Sequence, residues 1–211
     1  MKDLIMIYEE IKALIEKRLA EFRALWHNAS EKELFKELAF CLLTPQSKAK
    51  VCWSAIEKLW NSDVLFKGDE QEIREILVGI RFKNNKSRYI IEARNTLSRN
   101  GELIIREIIK QYQDIFKLRD WLVKNIKGTG YKEASHFLRN IGFGKDIAIL
   151  DRHVLKNLKF YGVIQDIPTS LSRKKYMEIE NRMREFSKQI KTPMEHLDFV
   201  FWFKETGEVF K

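Results

Sequence analysis

Apolar residues recur through most of this chain at three- and four-residue intervals and almost never in strict alternation, which predicts helices and nearly no strands. Met1-Lys2-Asp3-Leu4 leads straight into an amphipathic stretch with charges throughout. Ser30-Glu31-Lys32-Glu33 has the form of a capping box and opens a helix expected to end at Thr44-Pro45, where proline removes a backbone donor. Cys52, Ile56, Leu59 and Trp60 mark the next helix, and Lys86–Leu97 and Leu103–Tyr112 read as two more. Tyr176, Ile179, Met183, Phe186 and Ile190 form one of the clearest stripes. Thr192-Pro193 then offers an N-cap and a proline at the first helical position for the last helix. The expected fold class is all-α, with no internal repeat and no low-complexity linker.

Two stripes flank a short glycine-containing segment. Leu118, Trp121, Leu122 and Ile126 precede it; Ala134, Phe137, Leu138 and Ile141 follow, with Gly142 as a natural stop. Between them runs Ile126-Lys127-Gly128-Thr129-Gly130-Tyr131-Lys132, so the whole reads as a helix-hairpin-helix. Two glycines one residue apart allow a turn tight enough for its N–H groups to point outward, where the start of the next helix can grip a phosphate. Lys132 falls in the first turn of that helix. Counting around it puts Lys132 with His136 and Arg139, away from the apolar stripe, where the ordinary expectation is a solvated face. Nineteen positions later comes Asp151, in Ile149-Leu150-Asp151-Arg152-His153. An amine beside a bound phosphate, joined by a carboxylate from a later segment, is a set of parts suited to chemistry at a nucleotide sugar. Asp151 also precedes the amphipathic run Val154, Leu155, Leu158, so it reads equally as a helix N-cap; the two roles can coexist.

Composition narrows the picture from other directions. With 211 residues, 45% hydrophobic and 12% aromatic, the chain can bury a core in one domain or two small ones. A net charge of +9 suits a polyanionic partner without selecting one. Cys41 and Cys52 lie among apolar helical residues and read as core thiols. Four scattered histidines give no zinc spacing, and no metal site is expected. The N-terminus has no signal-peptide pattern and no apolar run is long enough to span a bilayer, so an intracellular protein without membrane association is expected.

The run Gly128-Thr129-Gly130-Tyr131-Lys132-Glu133-Ala134-Ser135-His136-Phe137-Leu138-Arg139-Asn140, followed by Ala148-Ile149-Leu150-Asp151-Arg152-His153-Val154-Leu155, resembles the helix-hairpin-helix DNA glycosylases. Within them it is most similar to the archaeal and bacterial second type of 8-oxoguanine glycosylase/AP lyase. Phe35-Lys36-Glu37-Leu38, Phe40-Cys41-Leu42-Leu43-Thr44, Ile167-Pro168, Leu171-Ser172-Arg173-Lys174-Lys175-Tyr176, and Trp202 with Thr206-Gly207 extend the resemblance in the family's order over nearly the whole chain. It is weakest from Ser54 to Tyr112, and Pro45-Gln46-Ser47 stands where typical members carry an alanine-asparagine pair.

The resemblance implies two helical lobes around a cleft: a six-helix lobe over residues 30–142, and a second lobe from residues 1–29 and 143–211. It implies that Lys132 attacks the deoxyribose carbon bearing the lesion base and leaves an imine from which β-elimination cuts the strand; a helix start in a partly desolvated cleft favours its free amine. Asp151 would stabilise positive charge on the sugar. Gly128, Gly130, Arg152 and His153 would hold DNA, and Gln46 would fill the gap left by the flipped nucleotide. Phe82, Trp202 and Lys211 would recognise the base, although without the resemblance both aromatics read as core packing. Lys211 follows Trp202 at the family's distance, from which a complete chain with a functional terminus is expected. The implied partner is double-stranded DNA containing 8-oxoguanine, bound by a monomer. The four-cysteine cluster of the iron–sulfur branches is missing, so no cofactor is expected; whether a monovalent cation sits in the hairpin is left open. Two alternatives stand beside this reading: a helix-hairpin-helix glycosylase for another oxidised base, and a non-catalytic helix-hairpin-helix module that only binds DNA.

Overall fold

A computed structural model describes residues 1–210. The chain opens with α1 (Lys2–Asn28), whose Leu4, Tyr8, Ile11, Ile15, Leu19 and Phe22 bury one stripe at helical spacing. Ser30 caps α2 (Glu31–Leu43) as the sequence predicts: its hydroxyl accepts from the Glu33 N–H, and Glu33 Oε2 accepts from the Ser30 N–H. There follow α3 (Ala49–Asn61), α4 (Val64–Lys67), α5 (Glu70–Ile76) and α6 (Lys83–Thr96). A two-stranded antiparallel hairpin, β1 (Ser98–Arg99) and β2 (Glu102–Leu103), pairs Ser98 with Leu103 and Arg99 with Glu102. Then come α7 (Ile105–Lys110), α8 (Ile115–Asn125), α9 (Tyr131–Asn140), α10 (Arg152–Phe160), α11 (Arg173–Gln189) and α12 (Met194–Thr206).

Two expectations need correction. Leu103 belongs to β2, and the following helix starts only at Ile105, because Asn100-Gly101, both at positive φ, close a tight turn between the strands. Thr192 does not cap the last helix. Pro193 holds the cap position with no side-chain bond, and the Thr192 hydroxyl points back towards the Ile190 carbonyl.

The described chain divides into two compact units, with the divisions inside α1 and α9 rather than in a linker. One unit runs over Trp26–Phe137. At its core α2 buries every position from Leu34 to Leu43 except Lys36, packing on α3, α6 and α7. Cys41 and Cys52 are buried within it and are not joined in a disulfide. The other unit joins Met1–Leu25 to the stretch from Leu138 onward. There α12 packs on α10 and α11, and the Phe199 ring stacks on Phe22 of α1. Among the described residues no helix is long and apolar enough to cross a membrane.

Candidate active site

The hairpin that carries Lys132 is shaped by its glycines. After α8, Ile126 is extended, the Thr129 N–H donates to the Ile126 carbonyl (3.1 Å), and Gly128 takes φ +83°. A Cβ on Gly128 would stand 2.3 Å from Cδ2 of Tyr89, so both backbone and packing require glycine there. The Gly130 N–H donates to Oε2 of Glu133 (3.0 Å), which caps the start of α9. One donor of the expected phosphate cradle is thus held by a carboxylate of the protein itself.

Lys132 is half-buried, its side chain 21% exposed. Its Nζ donates to Oγ1 of Thr44 (2.9 Å) and lies 3.4 Å from Oε1 of Glu133. The neighbouring polar positions are buried more deeply, which corrects the solvated-face reading of α9. His136 packs edge-on to Phe40, with ring centroids 5.5 Å apart. The Arg139 guanidinium lies 4.4 Å from the Phe199 ring centroid and 5.0 Å from that of Phe22. Helical counting placed these side chains correctly on one face, but aromatic rings rather than water cover that face.

Thr44 begins a turn that gathers several sequence-predicted residues. The buried ammonium of Lys86 donates to the carbonyls of Leu43 (2.7 Å) and Pro45 (2.7 Å) and to Oγ of Ser47 (3.1 Å). Burial pushes Lys86 down to about 8, with Cys52 opposing and Lys132 adding to the shift. Ser47 Oγ also accepts from the Arg81 N–H (3.1 Å), which ties the turn to the loop carrying Phe82. Gln46, at the tip of the turn, is exposed and left-handed (φ +53°). Phe82 is left-handed too (φ +59°) and 53% exposed, with the Arg81 guanidinium 5.6 Å from its ring centroid. Core packing therefore does not account for Phe82, which lies off the α6 face that buries Lys86, Ile90 and Ala93. Lys132, Gln46 and Phe82 are all linked through Thr44–Ser47. Burial pushes the nearby Cys52 thiol up to about 11, and its Sγ donates to the Leu43 carbonyl, as expected of a core thiol.

The second unit carries the remaining residues. Asp151 caps α10, its Oδ1 accepting from the Val154 N–H (2.8 Å). Arg152 is exposed. His153 meets Trp202 edge-on at 5.0 Å between centroids. Trp202 is half-buried, and among the described residues its buried Nε1–H has no hydrogen-bond partner, an open donor beside His153. Burial pushes Asp198 up to about 6, with Arg139, 3.5 Å away, opposing and Asp151 adding to the shift. Lys211 lies outside the described residues. Among those described, no group of three or more His, Cys, Asp or Glu side chains could hold a metal ion.

Sequence reasoning missed Thr44 as a partner of Lys132, Glu133 as the hairpin cap, and Lys86. Lys86 did carry a signal: it heads the buried stripe Lys86, Ile90, Ala93, Leu97, an ammonium at an apolar position. Thr44 carried none, because its partner is 88 residues away.

Comparison with known proteins connects this geometry to chemistry. A family model described as 8-oxoguanine DNA glycosylase matches residues 15–192. An 8-oxoguanine DNA glycosylase/AP lyase of Fusobacterium nucleatum is 46% identical over 205 residues, covering 97% of this chain and 94% of its own. Among solved structures, the Methanocaldococcus jannaschii 8-oxoguanine glycosylase/lyase in complex with a 15mer DNA containing 8-oxoguanine superposes with a TM-score of 0.89 at 38% identity, covering all of both chains. The 8-oxoguanine DNA glycosylase of Thermotoga maritima has a TM-score of 0.88 at 36% identity, over 100% of this chain and 97% of its own.

Proposed function

The chain belongs to the 8-oxoguanine DNA glycosylase family, and from that premise we propose that it removes 8-oxoguanine from double-stranded DNA and then nicks the abasic site. The observation that carries this reading is a half-buried lysine on the first turn after a glycine hairpin, its Nζ held by a threonine hydroxyl. The Lys132 lone pair forms a bond to C1′ as the bond from C1′ to the base breaks; the electron pair leaves with the base, which takes up a proton. Nitrogen then gives up a proton, its lone pair forms the C1′=N bond as the C1′–O4′ pair moves to O4′, O4′ takes up a proton, and a protonated imine remains. Loss of a C2′ proton expels the 3′ phosphate and cuts the strand.

Asp151 is the carboxylate assigned to the positive charge that grows on the sugar and to the protons that Lys132 releases. Its cap bond uses one oxygen, which leaves the second for this task. A base in the stack must be flipped before attack, and Gln46, exposed on a left-handed turn, is assigned to the vacancy. Phe82 and Trp202 are assigned to the flipped base, together with Lys211. Gly128, Gly130, Arg152 and His153 are assigned to the DNA backbone, and the protein is expected to act inside the cell as a monomer.

Borohydride reduction tests the central step. With 8-oxoguanine duplex the wild type should yield a covalent complex, and Lys132→Gln should abolish it while retaining DNA binding, since an amide cannot form the imine. A non-catalytic DNA-binding module would bind and trap nothing. Undiminished trapping in the variant would remove Lys132 from the role of nucleophile.

A further inference from the structure

The Thr44 hydroxyl has one proton and two lone pairs. Its proton is committed, because Oγ1 donates to the Cys41 carbonyl at 2.8 Å, in the last turn of α2. Only a lone pair is therefore left to face Lys132, whose Nζ donates to the same oxygen at 2.9 Å. The direction of this bond is fixed by the helix end and does not depend on a freely turning hydroxyl. An amine that gives one N–H to a fixed acceptor has lost most of its freedom about the Cε–Nζ bond, so its lone pair is confined to the remaining directions.

The acceptor is itself held firmly. Thr44 is buried, its own N–H donates to the Cys41 carbonyl (3.3 Å), and Lys86 clamps the carbonyls on either side of it. Two residues on stands Gln46 in a left-handed conformation. A single short turn thus holds both the nucleophile's acceptor and the residue assigned to the flipped nucleotide's place.

We propose that Thr44 is a positioning residue for the reaction: its hydroxyl orients the Lys132 amine for attack on the sugar and ties that orientation to the Gln46 turn. This rests on the function proposed above, with Lys132 as nucleophile. Thr44 touches neither base nor sugar in this scheme, so it should act on the rate of the covalent step and leave DNA affinity alone. Misplacing a reacting group by a fraction of an ångström to one ångström costs on the order of 10- to 100-fold in rate.

The experiment compares Thr44→Val and Thr44→Ser with the wild type in single-turnover excision, in borohydride trapping and in DNA affinity. Valine matches threonine in shape, and the backbone N–H at position 44 can still serve the Cys41 carbonyl, so folding should survive; melting curves check this, and Thr44→Ala takes its place if valine does not fold. The expected result is a loss on the order of 10- to 100-fold in the single-turnover and trapping rates for valine. Dissociation constants should stay within about twofold, and serine should recover most of the rate because it restores the hydroxyl. Valine at the wild-type rate overturns the proposal, as does an equal loss in serine or a loss that appears only in affinity. If the wild type itself traps nothing, the failure belongs to the proposed function and not to Thr44.

Discussion

Asp151 caps α10, and the proposed function gives the same side chain a chemical demand beside that structural one. Oδ1 serves the Val154 N–H, a bond that asparagine makes as well, whereas the negative charge has no substitute in an amide. Asp151→Asn should therefore melt within a few degrees of the wild type yet lose on the order of 100- to 1,000-fold in 8-oxoguanine excision. Single-turnover assays beside melting curves would reveal this split, and near-normal excision would leave the cap as its whole role. The cap position of Asp151 and the place of Lys132 in the first turn after the hairpin could both be read from the sequence, because glycine spacing and an N-cap before an apolar run are local signals. Thr44 and Lys86 could not be assigned their partners, since those bonds join positions 88 and 43 apart. Without the resemblance Phe82 reads as core packing, because an aromatic has no sequence mark for a left-handed backbone.

Helix α2 ends on a carbonyl group held by an ammonium from α6, a favourable charge for a helix C-terminus. Replacing Lys86 by methionine keeps the length and removes the donors. Leu43 still has the Cys52 thiol, so the principal orphan is the Pro45 carbonyl, and the expected loss is about 2 kcal/mol, measurable by denaturant titration. The pH dependence follows from Lys86 lying at about 8 when folded and 10.5 when free. Between those values the unfolded chain binds the extra proton, so wild-type stability rises with pH through that window relative to the methionine variant. Cys52, Lys132, Glu133 and Arg81 face the same group and remain in both proteins. A stability difference independent of pH from 8 to 10.5 would contradict the assignment. The long helices were evident from periodicity, but α4 and α5 were not. Four and seven residues are too few to show a stripe, although the Asp69–Glu72 capping box was there to be noticed.

A surplus of nine positive charges suits a partner made of phosphates, and part of it lies exposed around the site, at Arg81, Lys83, Arg88 and Lys127. Affinity for duplex DNA should fall steeply with salt. Lys83→Ala and Lys127→Ala should each lower the slope of log affinity against log salt by about 1, equally for damaged and undamaged duplex. Fluorescence anisotropy over a salt series measures this; a loss confined to damaged DNA would mark those lysines as base readers instead. The division into two units was hidden from the sequence because it falls inside α1 and α9, where no proline or glycine interrupts the periodicity. The left-handed residues carry a last consequence. Gln46 and Phe82 each hold a backbone conformation that costs a non-glycine residue about 1 kcal/mol or more, and glycine would relieve it. Anyone breeding this protein for heat resistance alone would find those two codons among the easiest gains, and would harvest them at the expense of the side chains that the proposed function assigns to the vacated stack and to the flipped base.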